Sequence, residues 1–561
     1  MTANPAKDSP PSLRDGGGAW SGKQMLLLPL LLVVLLAFNA LFTFTNVAAT
    51  PWVRPAAALS VELGVLLVAI GLYRAVRLRL GSALKLALAL ILFIAVLLRY
   101  ADVTAPTIFA RELNFYWDLR HVPDLVVMFW QSAGIFRALA VFLTAILVVL
   151  AFMAFSIFGL TVIDRAAARR WGRAGLIAIG AAVIALFVLD RTGHALHKRL
   201  AFAKPVSVSA AHQVALLTEA WRLQHGGIAS FKEVFGEGVT AMSGRGRPDG
   251  SDVFVIFLES YGDTVVDDQR HFARMKPRYE KMQASLDAAG WHVVSRRIEA
   301  PTFGGGSWRS HGTLLSGLRL SDQTLYNLLL STDHKTLVSY FKDAGYRAIA
   351  AMPGIKRAWP EGAFFGFDRI YDDKGLQYPG PDFGFWRIPD QYTLFRTHET
   401  EIAAAKQPLF AVLVLINSHM PFLPLPPYVN DWSLFATNNA YETGSGQPED
   451  QSDPNRRYMD AILYEFDIVE DFITDFLPKD ALLIVLGDHQ PAGTVSGPDA
   501  DWTVPIHVFS RDPGRLAPFR NAGFESGLVP TQRTSEGMEN VPGLVLEAAS
   551  LGRSTAVSGH P

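Results

Sequence analysis

The sequence predicts an N-terminal five-helix transmembrane region followed by an α/β sandwich built on a mostly parallel sheet. Three observations carry this. The first third holds five apolar stretches, about Met25–Phe44, Ala56–Leu72, Leu84–Leu98, Ala138–Leu160 and Ala174–Leu189. From Ser251 onward, short apolar runs alternate with stretches of helical spacing, the pattern of a sheet flanked by helices. The runs Val253–Leu258, Pro408–Ile416 and Leu482–Leu486 contain no polar residue, as strands buried on both faces of a parallel sheet require.

Composition narrows the function classes. The chain of 561 residues has 51 Lys+Arg against 52 Asp+Glu, a net charge of −1, and 50% hydrophobic residues. That balance excludes a basic nucleic-acid binder. There are no cysteines, so disulfides, thiolate metal sites and a Cys nucleophile are all excluded. An exported domain without disulfides relies on its core, and about 300 residues suffice for one.

Residues 1–24 are polar and rich in Gly, Pro and Ser, which reads as a disordered cytoplasmic tail without a cleaved signal. Residues 25–190 hold the five spans, the first being long enough to cross a bilayer. Positive charge sets their orientation. Lys7, Arg14 and Lys23 precede the first span, Arg74, Arg77, Arg79 and Lys85 follow the second, and Arg165, Arg169, Arg170 and Arg173 follow the fourth. The loops between carry few cations, which places the N-terminus inside and everything after residue 190 outside. In a two-membrane bacterium this is a multi-pass inner-membrane protein with a periplasmic domain. The outer loop at residues 110–121 mixes Trp, Tyr and charge, either as an aromatic belt or as an interfacial element beneath the domain. Residues 191–250 read as an amphipathic linker and a Gly/Arg/Pro-rich hinge, 251–545 as an extracytoplasmic soluble domain with a polar, Gly-rich excursion at 437–455, and 546–561 as a tail.

Candidate chemistry gathers where the strands end. Glu259 closes the first strand, His419 follows Asn417-Ser418 at the second, and Asp488-His489 follow Gly487 at the third. In open α/β sheets these carboxyl ends bind ligands. Gly304-Gly305-Gly306 lead into Ser307 and a helical run. A Gly-rich turn into a helix N-terminus gathers free N–H groups and favours an anion or an alkoxide there.

The stretches F-L-E-S at 257–260, G-G-S at 305–307, N-S-H-M-P-F at 417–422 and G-D-H at 487–489 resemble the alkaline-phosphatase superfamily. Within it they are most similar to membrane-anchored sulfatase-like enzymes, the lipoteichoic-acid synthases and the phosphoethanolamine or phosphoglycerol transferases. The resemblance covers residues 250–510 and the hydropathy of the N-terminal third. In sulfatases the nucleophile precedes a Leu-Leu-Thr-Gly tail, and counting back from Leu314-Leu315-Ser316-Gly317 places Ser307 at the nucleophile. Arg309 and His311 stand where sulfatases carry the Pro and Arg read during formylglycine maturation, so the resemblance implies an unmodified serine.

Glu259, Asp488, His489 and the Ser307 hydroxyl form an O/N donor set that suits one divalent cation, Mn²⁺ or Zn²⁺. His419 is either structural or a ligand for a phosphoryl oxygen and a proton donor to the leaving group. By resemblance, Arg357 and Trp359 correspond to an arginine and an aromatic that contact phosphoglycerol, with Lys356 the alternative cation; the bland reading is an exposed turn with a packed Trp. His311, one helical turn beyond Ser307, either touches the substrate anion or caps. Thr302 and Thr313 are rival hydroxyls. The function expected is transfer of a phosphoglycerol or phosphoethanolamine group from a phospholipid to an envelope glycan or lipid through a covalent serine. Hydrolysis of sulfate or phosphate esters is the alternative, and an inactive envelope sensor or scaffold is the alternative of another class.

Overall fold

In a computed structural model of the chain, the residues described are 27–76, 79–133, 135–192, 201–235, 242–356, 359–384, 386–437, 440–441, 452–531 and 536–551. The expected N-terminal tail, and parts of the excursion at 437–455 and of the C-terminal tail, lie outside them. The chain forms two units, one of residues 1–45, 54–99 and 143–209, the other of 46–53, 100–142 and 210–561.

The first unit is helical. Each of the five apolar stretches falls on a helix: Leu27–Thr43, Val61–Ala75, Ser82–Phe109, Ile135–Ala167 and Arg170–Arg191. By length and composition three are long and apolar enough to cross a membrane, namely Ser82–Phe109, Ile135–Ala167 and Arg170–Arg191. Leu27–Thr43 and Val61–Ala75 have 17 and 15 residues, short of the ~20 that a span needs. The third helix runs beyond the expected Leu98 because Arg99, buried, donates from Nε and Nη2 to the Phe44 carbonyl at 3.2 and 2.9 Å. Val61–Ala75 packs on Arg170–Arg191 through glycines: a Cβ on Gly180 would lie 2.5 Å from the Gly64 carbonyl. Close backbone approach of this kind is how helices associate in lipid.

The second unit is built on an eight-stranded sheet: β1 (Val253–Leu258), β2 (His292–Glu299), β3 (Arg347–Ala351), β4 (Arg369–Tyr371), β5 (Leu409–Leu415), β6 (Leu482–Gly487), β7 (Thr503–Ser510) and β8 (Glu525–Ser526). The spatial order is β8-β2-β7-β6-β1-β5-β3-β4. Pairings β6–β1, β1–β5, β5–β3 and β3–β4 are parallel. Pairings β8–β2, β2–β7 and β7–β6 are antiparallel. The sheet is therefore mixed where the sequence suggested a mostly parallel one. The antiparallel half lies toward one edge, and β2 there carries Arg296 and Arg297 and is buried incompletely, as an edge region tolerates.

Every residue of β1, β5 and β6 is buried. Alternate side chains enter two cores. Phe254, Ile256 and Leu258 pack with Tyr279, Phe466 and Phe472, while Val253, Val255 and Phe257 pack with Leu314, Phe341 and Leu546. The expected amphipathic linker is the helix Val206–Phe235, kinked at Gly227; its Phe231 enters the second core and Trp221 stays exposed. A last helix, Val541–Ala549, runs past residue 545 and packs into the same core.

Candidate metal centre and nucleophile

The parallel register brings the strand ends together. Leu258 of β1 pairs with Leu415 of β5 and with Gly487 of β6, so the residues that follow, Glu259 and Asp488 among them, leave the sheet side by side. Donor atoms of Glu259, Asp488 and His489 all lie within 4.8 Å of one another, and all three residues are buried. Ser307 Oγ donates to Glu259 Oε2 at 3.0 Å and lies 3.2 Å from His489 Nε2. His489 Nε2 is 3.3 Å from Glu259 Oε1 and 3.6 Å from Asp488 Oδ2. Its other nitrogen, Nδ1, donates to the Gln490 carbonyl at 2.7 Å, which turns Nε2 toward the carboxylates.

The charges are strained in the way a cation would relieve. Burial pushes the Glu259 carboxyl up, but His419 and His489 outweigh it and hold it well below the usual carboxylate range. Burial and the Glu259 charge raise Asp488 to about 7. Burial works against the His489 imidazolium, yet Asp488 and Glu259 raise it to about 9. Asp488 Oδ2 is buried without a hydrogen-bond partner. Two buried carboxylates, an imidazole nitrogen and an orphaned oxygen fit a divalent cation; one nitrogen among oxygens suits Mn²⁺ or Zn²⁺.

The turn before Ser307 needs its glycines. Gly304, Gly305 and Gly306 have φ of 63°, 135° and 82°, conformations that a Cβ penalises. Ser307 is itself the first residue of the helix Ser307–Ser316, which puts the positive end of the helix dipole at its backbone. Arg309, at the position that departs from the sulfatase pattern, is buried and donates to Thr302 Oγ1 at 2.5 Å and to the Ser321 carbonyl at 2.6 Å. Burial lowers its guanidinium to about 10. Arg309 braces the Gly-rich turn from beneath, a role that no sequence pattern announced.

The rival hydroxyls are engaged elsewhere. Thr302 Oγ1 donates to the Gly305 carbonyl at 2.5 Å, and Thr313 Oγ1 accepts the Leu320 N–H at 3.0 Å. His311 lies against the Phe257 ring with centroids 4.4 Å apart, and burial lowers it to about 4, so it is neutral at pH 7. His419 sits beside Trp386, ring centroids 4.5 Å apart, with Nδ1 donating to the Met420 carbonyl at 2.6 Å. Arg357 lies outside the described residues. Trp359 stacks on Phe365 at 5.8 Å and packs on the second core. The aromatic ring that meets His419 is Trp386, and Lys356 Nζ lies 5.9 Å from its centroid.

Sequence reasoning also passed over the residues that hold the candidate ligands still. Ser260, in the left-handed region at φ 57°, donates its N–H to Asp488 Oδ1 at 2.8 Å and its hydroxyl to Glu259 Oε1 at 3.0 Å. Ser418 Oγ donates to the Glu259 carbonyl at 2.7 Å, and Ser310 Oγ to the Asp488 carbonyl at 2.6 Å. Outer partners of this type typically change metal affinity about 10–100-fold. Ser260→Gly, which keeps the backbone conformation and removes the hydroxyl, is expected to weaken binding of Mn²⁺ or Zn²⁺ within that range in a chelator competition. Undiminished affinity would show that the hydroxyl does not orient Glu259.

A buried acid pair fixes the strand end that bears His419. Asp390 Oδ2 accepts the N–H groups of Ile416 and Asn417 at 2.6 and 2.5 Å, and the Asp390 N–H donates to Asn417 Oδ1 at 2.8 Å. Burial raises Asp390 to about 7, despite hydrogen bonds from Glu465 and the two amides. Burial and the Asp390 charge raise Glu465 well above its usual range. Carboxyls whose folded pKa is raised contribute stability that is complete below the unfolded pKa and is lost as pH rises through the folded one. Thermal stability is therefore expected to fall as pH rises through 7, by about 1.4 kcal/mol for each unit of raised pKa. Glu465→Gln, a neutral donor of the same size, is expected to flatten that fall in a melting series from pH 6 to 9. An unchanged slope in the variant would rule out the pair as its source.

With the geometry in place, comparison with known proteins gives the class. Residues 304–546 match the model of the sulfatase family. These residues make up a sulfatase-type domain, and through it the chain is an enzyme of the phosphotransferase or ester-hydrolase type. Comparison of the sequence with curated proteins gives no match. Solved structures similar to this chain include the lipooligosaccharide phosphoethanolamine transferase EptA of Neisseria meningitidis, with 12% identity, 87% of each chain covered and a TM-score of 0.46. The lipoteichoic acid synthase LtaP of Listeria monocytogenes is similar at 15% identity over 49% of this chain and 70% of that one, TM-score 0.36. The Streptococcus pyogenes phosphoglycerol transferase GacH is similar at 13% over 52% and 73%, TM-score 0.33.

Proposed function

We propose that the protein is a metal-dependent, membrane-anchored transferase that moves a phosphoglycerol or phosphoethanolamine group from a phospholipid to an envelope glycan or lipid through a serine ester. The observation that carries this reading is the Ser307 hydroxyl, hydrogen-bonded to Glu259 and within reach of His489 Nε2 at a helix N-terminus. The apolar helices keep that site at a membrane, where a lipid donor is at hand. Their basic loops orient the domain toward the periplasm of an inner-membrane protein.

Ser307 Oγ forms a bond to the donor phosphorus while the bond from phosphorus to the diacylglycerol oxygen breaks. Ser307 loses its proton as this bond forms, and the leaving oxygen takes one up; His419 would give it. An acceptor hydroxyl then attacks the same phosphorus, loses its proton and frees Ser307. Bound Mn²⁺ or Zn²⁺ supplies the positive charge that lowers the pKa of the serine hydroxyl. Glu259, Asp488 and His489 hold that cation, and Ser260, Ser310 and Ser418 hold the segments that bear them.

The Leu314-Leu315-Ser316-Gly317 tail and the sulfatase match favour a second reading, hydrolysis of sulfate or phosphate esters. One experiment separates the two. Purified enzyme is incubated with labelled phosphatidylglycerol and phosphatidylethanolamine, and with a sulfate ester in parallel. Diacylglycerol release that depends on Ser307 supports the transferase. Sulfate release without diacylglycerol reverses the order.

A further inference from the structure

The helix Val122–Ala133 has 12 residues, VPDLVVMFWQSA, with Asp124 its one charged residue. Val122, Leu125, Val126, Val127, Phe129 and Trp130 are each between 41 and 58% exposed. Residues 125, 126, 127, 129 and 130 are too close in sequence to share one helical face, so apolar surface is presented on more than one side. Water does not tolerate such a surface on a folded domain. At 1.5 Å per residue the helix is about 18 Å long, too short for a ~30 Å hydrocarbon core. An apolar segment too short to span, carrying Trp and Phe, suits the interfacial layer. The chain continues from it directly into Ile135–Ala167, which is apolar and long enough to cross.

The segment just before this helix is fastened around the nucleophile within the same unit. The His121 ring lies 5.0 Å from the ring of Trp308, the neighbour of Ser307. Trp117 is buried and donates Nε1–H to Thr324 Oγ1 at 2.9 Å. Arg111 grips Asp118 through two bonds of 3.0 and 2.9 Å, and Arg120 stacks on Trp117 at 4.5 Å. On the other side of the site, a Cβ on Gly304 would lie 3.3 Å from the Ile108 carbonyl, and one on Gly493 would collide with the Thr107 carbonyl. Residues 107–121 thus contact the Gly-rich turn, the residue after the nucleophile and the loop beyond Asp488-His489.

We infer that helix Val122–Ala133 is embedded in the lipid headgroup layer and, through the His121–Trp308 contact, holds Ser307 at the depth of a donor's phosphate. The partner is the lipid surface itself. Its bearing on catalysis rests on the phospholipid-donor reading; the placement of the helix does not.

The chain has no cysteine, so single cysteines placed at Val126, Phe129 and Trp130 of the full-length protein can each carry a nitroxide. In vesicles of phosphatidylglycerol and phosphatidylethanolamine, these labels are expected to collide several-fold more with oxygen than with a water-soluble nickel chelate. A label at Lys335, which is exposed, is expected to show the reverse. All three positions matching Lys335 would overturn the inference. In a second arm, Val126→Lys with Phe129→Lys is expected to lower headgroup release from vesicles at least tenfold and to spare turnover of a water-soluble nitrophenyl phosphodiester. Equal loss on both substrates, or loss on neither, also overturns it. Wild-type enzyme that turns over the soluble ester and no phospholipid fails the donor reading, and the label depths then decide the helix alone.

Discussion

Ser307→Ala is expected to lower turnover by about 10⁴-fold or more, the usual cost of removing an activated nucleophile, with substrate binding largely retained. Among the described residues the nearby hydroxyls cannot take its place. Thr302 is tied to the Gly305 carbonyl and Arg309, Thr313 to the Leu320 amide, and Ser260 is committed to Glu259. The loss should not come from unfolding. Ser307 opens its helix, but the preceding turn is set by three glycines and braced by Arg309, neither of which the substitution touches. Circular dichroism should match the wild type. Ser307→Thr should retain part of the rate. Intact-mass measurement should show an unmodified serine at rest, since Arg309 and His311 stand where the maturation signal has Pro and Arg. Turnover that survives Ser307→Ala, or a formylglycine mass, would place the nucleophile chemistry elsewhere.

How far this could be read from the sequence depended on whether the signal was local. Glu259, Ser307, Asp488 and His489 were legible because each sits at the end of an apolar strand or after a run of glycines, and the parallel register then brings them within a few ångströms. The five apolar stretches likewise all became helices. The end of the third was missed because Arg99 looks like a terminus in sequence and is satisfied by Phe44, distant in the chain. Long-range packing was invisible in the same way. Trp359 and Trp386 are equally plausible neighbours of a substrate on composition, yet Trp359 goes to Phe365 and Trp386 goes to His419. Asp390 and Glu465 lie on separate helices, and only the fold makes them one acid pair. The antiparallel half of the sheet was missed because β2, with its two arginines, carries no mark of direction.

Removing the metal is expected to abolish turnover, and Mn²⁺ or Zn²⁺ to restore it. The sign of the pH dependence follows from the metal-free charges. His489, raised to about 9, and Asp488, raised to about 7, hold protons at neutral pH that a cation must displace before Nε2 and the carboxylate can bind it. Both folded values lie above the unfolded ones, so proton binding stabilises the metal-free protein fully below the unfolded values, and that contribution fades as pH rises through 7 and then 9. Apparent metal affinity should move the opposite way, climbing between about pH 6 and 9 and levelling above. Calorimetry in buffers of different ionisation enthalpy should report protons released per metal bound near pH 7. Metal at a hundred times its dissociation constant adds about 2.7 kcal/mol of stability, so chelation should lower the melting temperature as well as the rate. Asp488→Ala removes the orphaned oxygen and one carboxylate charge, and should lose metal, rate and the metal-dependent rise in melting temperature together. Binding that ignores pH and releases no proton would show that these three side chains are not the ligands, and full activity after chelation would remove the metal from the chemistry altogether.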